Sequence, residues 1–254
     1  MASPQRLILA GIATLVIGLI ISFPARVAYQ WFAPAELKLS GISGSIWRGS
    51  AAQGSAGGVY LANVRWSFRP LGLLTGKLRF ATGSNLASGF LDADIAIGAG
   101  GSVTMSDVAA AVSLAALANA LPLSGIEGDV SLRFEELVIQ GGVPVEAVGT
   151  VNIANFVSRY LSPTPLGDYR AEFQTAGDGV LGSVQALSGV LELEGSTIKL
   201  TKDGEYEFAG KVLAKPAAPA AVEQILKFLG TPDARGFRDF MFPGRLLENK
   251  GSNR

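Results

Sequence analysis

The sequence predicts an all-β chain with minor α content: an N-terminal transmembrane helix, then a curved antiparallel β-meander, shaped as a trough or flattened barrel, with one or two short helices. Three observations predict it. Apolar and polar residues alternate with period two through most of the chain, 32 glycines and 12 prolines punctuate those runs, and one unbroken apolar stretch stands at the start. With 254 residues, 48 % of them apolar, the chain has the means to bury a sizeable core.

The first element is the stretch Leu7 to Phe23, "LILAGIATLVIGLIISF", preceded by Arg6. As a helix it covers roughly 26 Å, close to the hydrocarbon thickness of a bilayer once its flanks are counted. A cleaved leader needs small residues at the third and first positions before the cut. A cut after Ala28 puts Arg26 at the third position, and a cut after Ala25 puts Phe23 there. Neither suits a signal peptidase, so the stretch reads as an uncleaved anchor. Tyr29, Trp31 and Phe32 follow it, rings of the kind enriched where a helix leaves the bilayer. The chain then divides into a short cytoplasmic tail (1–6), an anchor (7–25), a periplasmic β-rich domain (26–246) and a disordered C-terminal tail (247–254), the large domain lying outside the inner membrane of a two-membraned bacterium.

Strands come next. In "VYLANVRWSF" the residues Tyr60, Val64, Trp66 and Phe68 are expected on one face, opposite Asn63, Arg65 and Ser67. Leu78 and Phe80 oppose Lys77 and Arg79. Val130, Leu132 and Phe134 oppose Asp129, Ser131, Arg133 and Glu135, and Tyr206, Phe208 and Val212 oppose Glu205, Glu207 and Lys211. Each is a strand with one dry and one wet face. Turn signals separate them at Gly57-Gly58, Gly83-Ser84-Asn85, Gly141-Gly142, Gly177-Asp178-Gly179 and Asp203-Gly204, the last resembling a type I′ hairpin pair. About ten or more strands result, and a meander that long must curl, close or split to keep its apolar face dry.

Two helices interrupt the strands. Leu114, Leu117, Ala118 and Leu121 form one stripe behind Ser113 as N-cap and before Pro122 as the stop. Val222, Ile225, Leu226 and Leu229 form another, closed by Gly230 and Pro232. Both stripes are read as packing on the sheet, where they would plug an end of the trough.

The phrase "LSGI" at Leu39 returns at Leu123, and "LSGV" stands at Leu187. The spacing is unequal, which excludes a fixed-period solenoid. Each is read as a glycine-marked strand start, where the chain turns or admits a second backbone.

Chemistry is sparse. Histidine and cysteine are both absent, which removes the common general base, thiol nucleophiles, disulfides and most zinc sites. Lys plus Arg equals Asp plus Glu, 21 against 21, so no net field gathers nucleic acid. "GLLTGKL" has three residues between its glycines and Leu78 where a phosphate loop needs a hydroxyl. The pairs Asp92 with Asp94 and Glu192 with Glu194 each share a strand face and Arg48, beside Trp47, could clamp an anion, but charged residues on every second position are what a wet face carries. No catalytic, cofactor or metal residue is assigned, and the binding residues are left unknown.

The apolar start, "LSGISGSIWRGSAAQG" with "LANVRWSFRPLGLLTGKL" behind it, the central "LPLSGIEGDVSLRFEEL" and the closing "EYEFAGKVLAKPAAPAAVEQILKFLGTPDARGFRDFMFPGRL" together resemble the type II secretion system protein N family. The resemblance covers most of the chain and rests on structural motifs, so it carries over no functional residue. It implies a bitopic, non-enzymatic inner-membrane component of the machine that exports folded proteins from the periplasm, with other inner-membrane components of that machine as partners. It also implies kinship with AsmA-like envelope proteins, whose sheets curve into apolar troughs, and hence an alternative role in binding or transferring lipid acyl chains.

Overall fold

A chain that alternates apolar and polar residues buries one side of every strand, and successive hairpins then lay the strands down in sequence order. The computed structural model describes residues 4–33, 37–56, 58–86, 88–98, 100–117 and 125–246. Fourteen strands make one antiparallel sheet: β1 (Leu37–Ser40), β2 (Ser43–Gly44), β3 (Arg48–Ala56), β4 (Val59–Arg69), β5 (Leu78–Leu86), β6 (Gly89–Ile97), β7 (Val103–Ser113), β8 (Ile126–Gln140), β9 (Val143–Ser158), β10 (Gly167–Ala176), β11 (Gly179–Ala186), β12 (Leu191–Thr201), β13 (Glu205–Ala214) and β14 (Arg238–Arg245). From β3 to β14 every neighbour in sequence is a neighbour in the sheet, and β1 and β2 both pair with β3. The sheet is open, with β14 at one edge and the split β1/β2 pair at the other, so of the expected trough and barrel only the open form remains.

The apolar start folds differently from the single run expected. Helix α1 is Pro4–Ile21 and α2 is Ala25–Phe32. Pro24 separates them, because its ring removes an N–H and clashes with the preceding turn, and it restricts Phe23 as well. The apolar part of α1 therefore stops at Ile21, a span of about 22 Å against roughly 30 Å of hydrocarbon. Among the described residues no helix is long and apolar enough to cross a membrane. The two helices have different surroundings. Leu9, Ile12, Leu15, Val16, Ile17, Leu19, Ile20 and Ile21 are all exposed. Ala25 and Tyr29, one turn apart on α2, pack against Ile42, Ala51 and Trp66 of the sheet. The Tyr29 hydroxyl donates to the Leu37 carbonyl (3.0 Å) and accepts from the Leu39 amide (2.9 Å), which ties α2 to β1.

Trp47, shortly after the first copy of the repeated phrase, holds the end of α1. Its indole N–H donates to the Ile20 carbonyl at 2.8 Å, one of the acceptors a helix leaves open at its C-terminus. The indole also packs edge-on against Phe68, with centroids 4.7 Å apart. Gly41, Gly125 and Gly189, the glycines of the three copies, have φ of 65°, 74° and 103°. Gly125 and Gly189 lie just before β8 and β12, as expected of strand starts, and Gly41 separates β1 from β2. Leu123 and Ser124 lie outside the described residues.

Four residues in the left-handed region curve the sheet. Asn63, Asp107, Asn155 and Gly195 have φ of 50°, 51°, 53° and 58°, and the pairing register shifts beside each of them. These are β-bulges, which bend a strand and increase its twist, and Asn, Asp and Gly are the residues that tolerate this backbone. A bulge also changes which residues face inward. At Asn63 it exchanges Tyr60 for Leu61: Leu61 is buried, whereas Tyr60 is 47 % exposed on the wet side, contrary to plain alternation. In β8, Val130 and Phe134 are buried and Asp129, Ser131, Arg133 and Glu135 exposed, as the alternation requires. The hairpin at Asp203-Gly204 is a three-residue loop, Lys202 to Gly204, with one positive φ, at Gly204 (81°), where a type I′ turn needs two.

The apolar core runs along the dry face. Ala93, Val108, Phe134, Ala147 and Val180 form its middle, flanked by Leu91, Ile95, Met105, Leu132, Val151 and Phe173. Of the two expected helices, α3 is a single turn, Leu114–Leu117, whose N-cap is Ser113: its hydroxyl accepts from the Ala116 amide at 3.3 Å. Ala118, Leu121 and Pro122 lie outside the described residues. Helix α4 spans Ala220–Leu226 and tightens into a 3-10 turn over Lys227–Leu229, ending at Gly230 (φ 97°). Both helices lie at one end of the sheet, and the end of α1 lies at the other.

Candidate functional site

The dry face of the sheet is lined by side chains that the alternation points inward, and at two places it is not filled. Near α2, Ala25, Leu39, Ile42, Leu61 and Trp66 border a cavity of about 400 Å³. Near α4, Ile153, Tyr169, Phe208, Ile225, Leu229 and Phe240 border one of about 430 Å³. Between them lies the packed middle of the core, which shares Leu91 and Ile95 with the first cavity and Val151 with the second. Helix α4 sits over the sheet with Val222 buried and with Ile225, Leu226 and Leu229 on the cavity side, the stripe expected from the sequence.

A buried hydroxyl stands in the second cavity. Tyr169 reaches it from β10, its ring edge-on to Phe156 with centroids 5.8 Å apart. Its hydroxyl is buried and has no hydrogen-bond partner. Burial, and then the negative charge of the adjacent Asp168, pushes the phenol up to about 12, so at neutral pH it is a neutral donor. A buried donor without an acceptor costs free energy that a bound carbonyl or phosphate oxygen would recover. The sequence signal for it is faint: an inward tyrosine in the alternation Tyr169, Ala171, Phe173.

Asp168 itself faces the other way. Its Oδ1 accepts from the Asn155 amide at 2.8 Å and its Oδ2 from the Ser188 hydroxyl at 2.8 Å. The Asn155 amide first, then the Ser188 hydroxyl, hold its carboxyl below the usual range. It thereby clasps the bulge in β9 to the link between β11 and β12.

The carboxylate pairs read from the sequence lie on the wet face. Asp94 makes an ion pair with Arg69 at 3.5 Å, and a bulge in the β6–β7 pairing falls between Asp92 and Asp94. Glu194 binds Arg235 at 2.9 Å, while Glu192 is exposed. Arg48 is exposed and borders a shallow depression together with Arg65 and Asp92. Among the described residues no group of three or more carboxylates is placed to hold a metal ion. Pairs this exposed are screened by water and contribute little to stability.

A model of the type II secretion system protein N family matches residues 35–240, from just before β1 to within β14. The chain belongs to this family. It is also similar to the type II secretion system protein N of Aeromonas hydrophila, with 23 % identity over 241 residues, covering 90 % of this chain and 93 % of the relative. No solved structure matches it. The family match therefore covers β1 to β13, the start of β14, α4 and most of the lining of both cavities, and its first residues fall just after α2, which supplies Ala25 to the first cavity.

Proposed function

We propose that this chain is a non-enzymatic, single-pass inner-membrane accessory component of the type II secretion system, whose sheet stands in the periplasm and contacts other inner-membrane components of the machine. The observation that carries it is the family match over nearly the whole sheet. The exposed apolar surface of α1, which nothing in the sheet covers, supports its placement in the bilayer. Its helical apolar part is shorter than a bilayer core, and local thinning or the flanking residues would have to make up the difference. The free edge at β14 and the dry face offer the contact surfaces, by strand addition or by groove binding. Deletion of the gene is expected to leave the secreted substrate folded in the periplasm, and the full-length protein is expected to co-purify with other inner-membrane subunits. Unchanged secretion while the cognate system runs would overturn the reading.

A second reading, binding of lipid acyl chains, is favoured by the apolar cavity under α4 and by the unpartnered Tyr169 hydroxyl. At about 430 Å³ the cavity lies within the range of small-molecule sites, roughly 300–1,000 Å³. A chain carrying an ester would place its tail along Phe208 and Phe240 and its carbonyl at Tyr169. Native mass spectrometry after gentle extraction is then expected to find phospholipid on the protein, and Tyr169→Phe to lower its occupancy by about five- to tenfold, the loss of one hydrogen bond of about 1 kcal/mol or slightly more. A lipid-free protein, or equal occupancy in the variant, counts against it.

A further inference from the structure

The connection between β4 and β5, a 3-10 turn over Pro70–Thr75 with the sequence PLGLLT, carries three leucines that nothing covers. Leu71 is 77 % exposed, Leu73 55 % and Leu74 85 %. The exposed pair Leu78 and Ile97, facing each other across β5 and β6, continues the same rim. A soluble loop tip is ordinarily polar, because exposed leucines gain nothing from water, so a cluster of this kind marks a docking surface.

Its neck is basic. Arg69 and Arg79 stand directly opposite each other across β4 and β5, an arrangement of like charges that a sheet normally avoids. Lys77 lies beside them, its amide donating to the Gly72 carbonyl at 3.1 Å. Gly72 is where the Arg79 stem comes close: a Cβ there would lie 2.7 Å from Arg79 Cγ, so glycine lets the stem lie against the turn. Arg69 has one anionic neighbour, Asp94, and among the described residues neither Lys77 nor Arg79 has an ion-pair partner. Leucines at a tip with cations behind them match a bilayer surface, apolar below and anionic at the headgroups.

The tip also stands beside α1. Phe68, two residues before Pro70, packs on Trp47, and Trp47 bonds the Ile20 carbonyl at the end of α1. The turn and the helix end therefore emerge at the same end of the sheet, opposite α4. We propose that the Pro70–Thr75 turn is a second membrane contact, with Leu71, Leu73 and Leu74 inserted at the interface and Arg69, Lys77 and Arg79 on anionic headgroups. With the helix end it makes two attachments, which set the tilt of the sheet over the bilayer rather than leaving it free on one tether. This rests on the reading of α1 as the membrane element.

The chain has no cysteine, so single labels are simple to place. The full-length protein, reconstituted into phosphatidylethanolamine–phosphatidylglycerol vesicles, would carry an environment-sensitive dye at Leu74→Cys, at Ile12→Cys in α1, or at Leu187→Cys at the far end of the sheet. The expected result is blue-shifted emission and quenching by shallow doxyl lipids at position 74, quenching at 12, and neither at 187. Lys77→Gln and Arg79→Gln are each expected to lower the docked-to-undocked ratio about fivefold, and phosphatidylcholine vesicles to weaken the position 74 signal similarly. A label at 74 as wet as that at 187, with 12 quenched, overturns the turn contact and leaves the anchor standing. Neither 12 nor 74 quenched overturns both. Equal quenching at 74 in the two vesicle types, or in the charge variants, overturns the role of the basic neck.

Discussion

Replacing Phe134 by alanine is expected to destabilise the protein by about 3–5 kcal/mol, the usual cost of deleting a buried phenylalanine and leaving a cavity. Phe134 is the largest side chain among the buried residues at the middle of the dry face, where it meets Ala93, Val108, Ala147 and Val180. Its ring also lies against Phe173, with centroids 5.9 Å apart, which joins β8 to β10 across β9. The neighbours cannot collapse onto the gap, because all four are alanines or valines held by ladder bonds on both sides. In a chain of this size the loss corresponds to a fall in Tm of roughly 10 °C, read by thermal circular dichroism of the full chain in detergent. Val148→Ala, at a position 39 % exposed on β9, is expected to move Tm little. Equal effects of the two changes would show that the dry face is not the core.

A second large effect is expected where two backbones meet. Gly167 at the start of β10 (φ 143°) and Gly189 before β12 (φ 103°) face each other, and a Cβ on Gly167 would lie 2.8 Å from the Gly189 Cα and closer still to the Ser188 carbonyl. Leu166, fully buried, donates its amide to Phe156 and accepts from the Val190 amide at 2.9 Å, so neither strand is free to retreat. Gly167→Ala therefore combines a positive φ with a backbone collision, and a loss of about 3 kcal/mol is expected. Gly177→Ala is the control: its φ is 58°, nothing lies within 4 Å, and only the left-handed strain of about 1 kcal/mol applies. Urea unfolding midpoints compare them directly, and a Gly167→Ala midpoint no lower than that of Gly177→Ala would sink the close-approach account.

The period-two runs, the glycine turns at Gly141-Gly142, Gly177-Asp178-Gly179 and Asp203-Gly204, and the α4 stripe were legible in the sequence because each is a local property of a few consecutive residues; Gly83-Ser84-Asn85, expected as a turn, instead lies inside β5, where its residues pair with β6. Val130, Leu132 and Phe134 face the dry side for that reason, and Ser113 caps α3 for the same one. The meander order also followed, since short turns leave adjacent strands no other partner. The absence of histidine and cysteine turned attention toward the apolar face, although no residue of that face was singled out beforehand as binding.

What the sequence could not carry is phase and distance. A residue in the left-handed region shifts the register by one, so everything beyond Asn63 changes sides relative to what precedes it, and Leu61 is buried in place of Tyr60. Whether an asparagine in a strand takes that backbone depends on the partner strands, not on its neighbours in sequence. The same holds for Trp47 on Ile20, 27 residues away, and for Arg235 on Glu194, 41 residues away. The unpaired Tyr169 hydroxyl belongs to this class too, because its burial depends on Phe156 of β9 and on the α4 and β14 residues that line the same cavity. Alternation alone determined that one face of this protein is apolar; the tertiary structure decided which residues turn onto that face, because the bulges in β4, β7, β9 and β12 reset the phase of the strands that carry them.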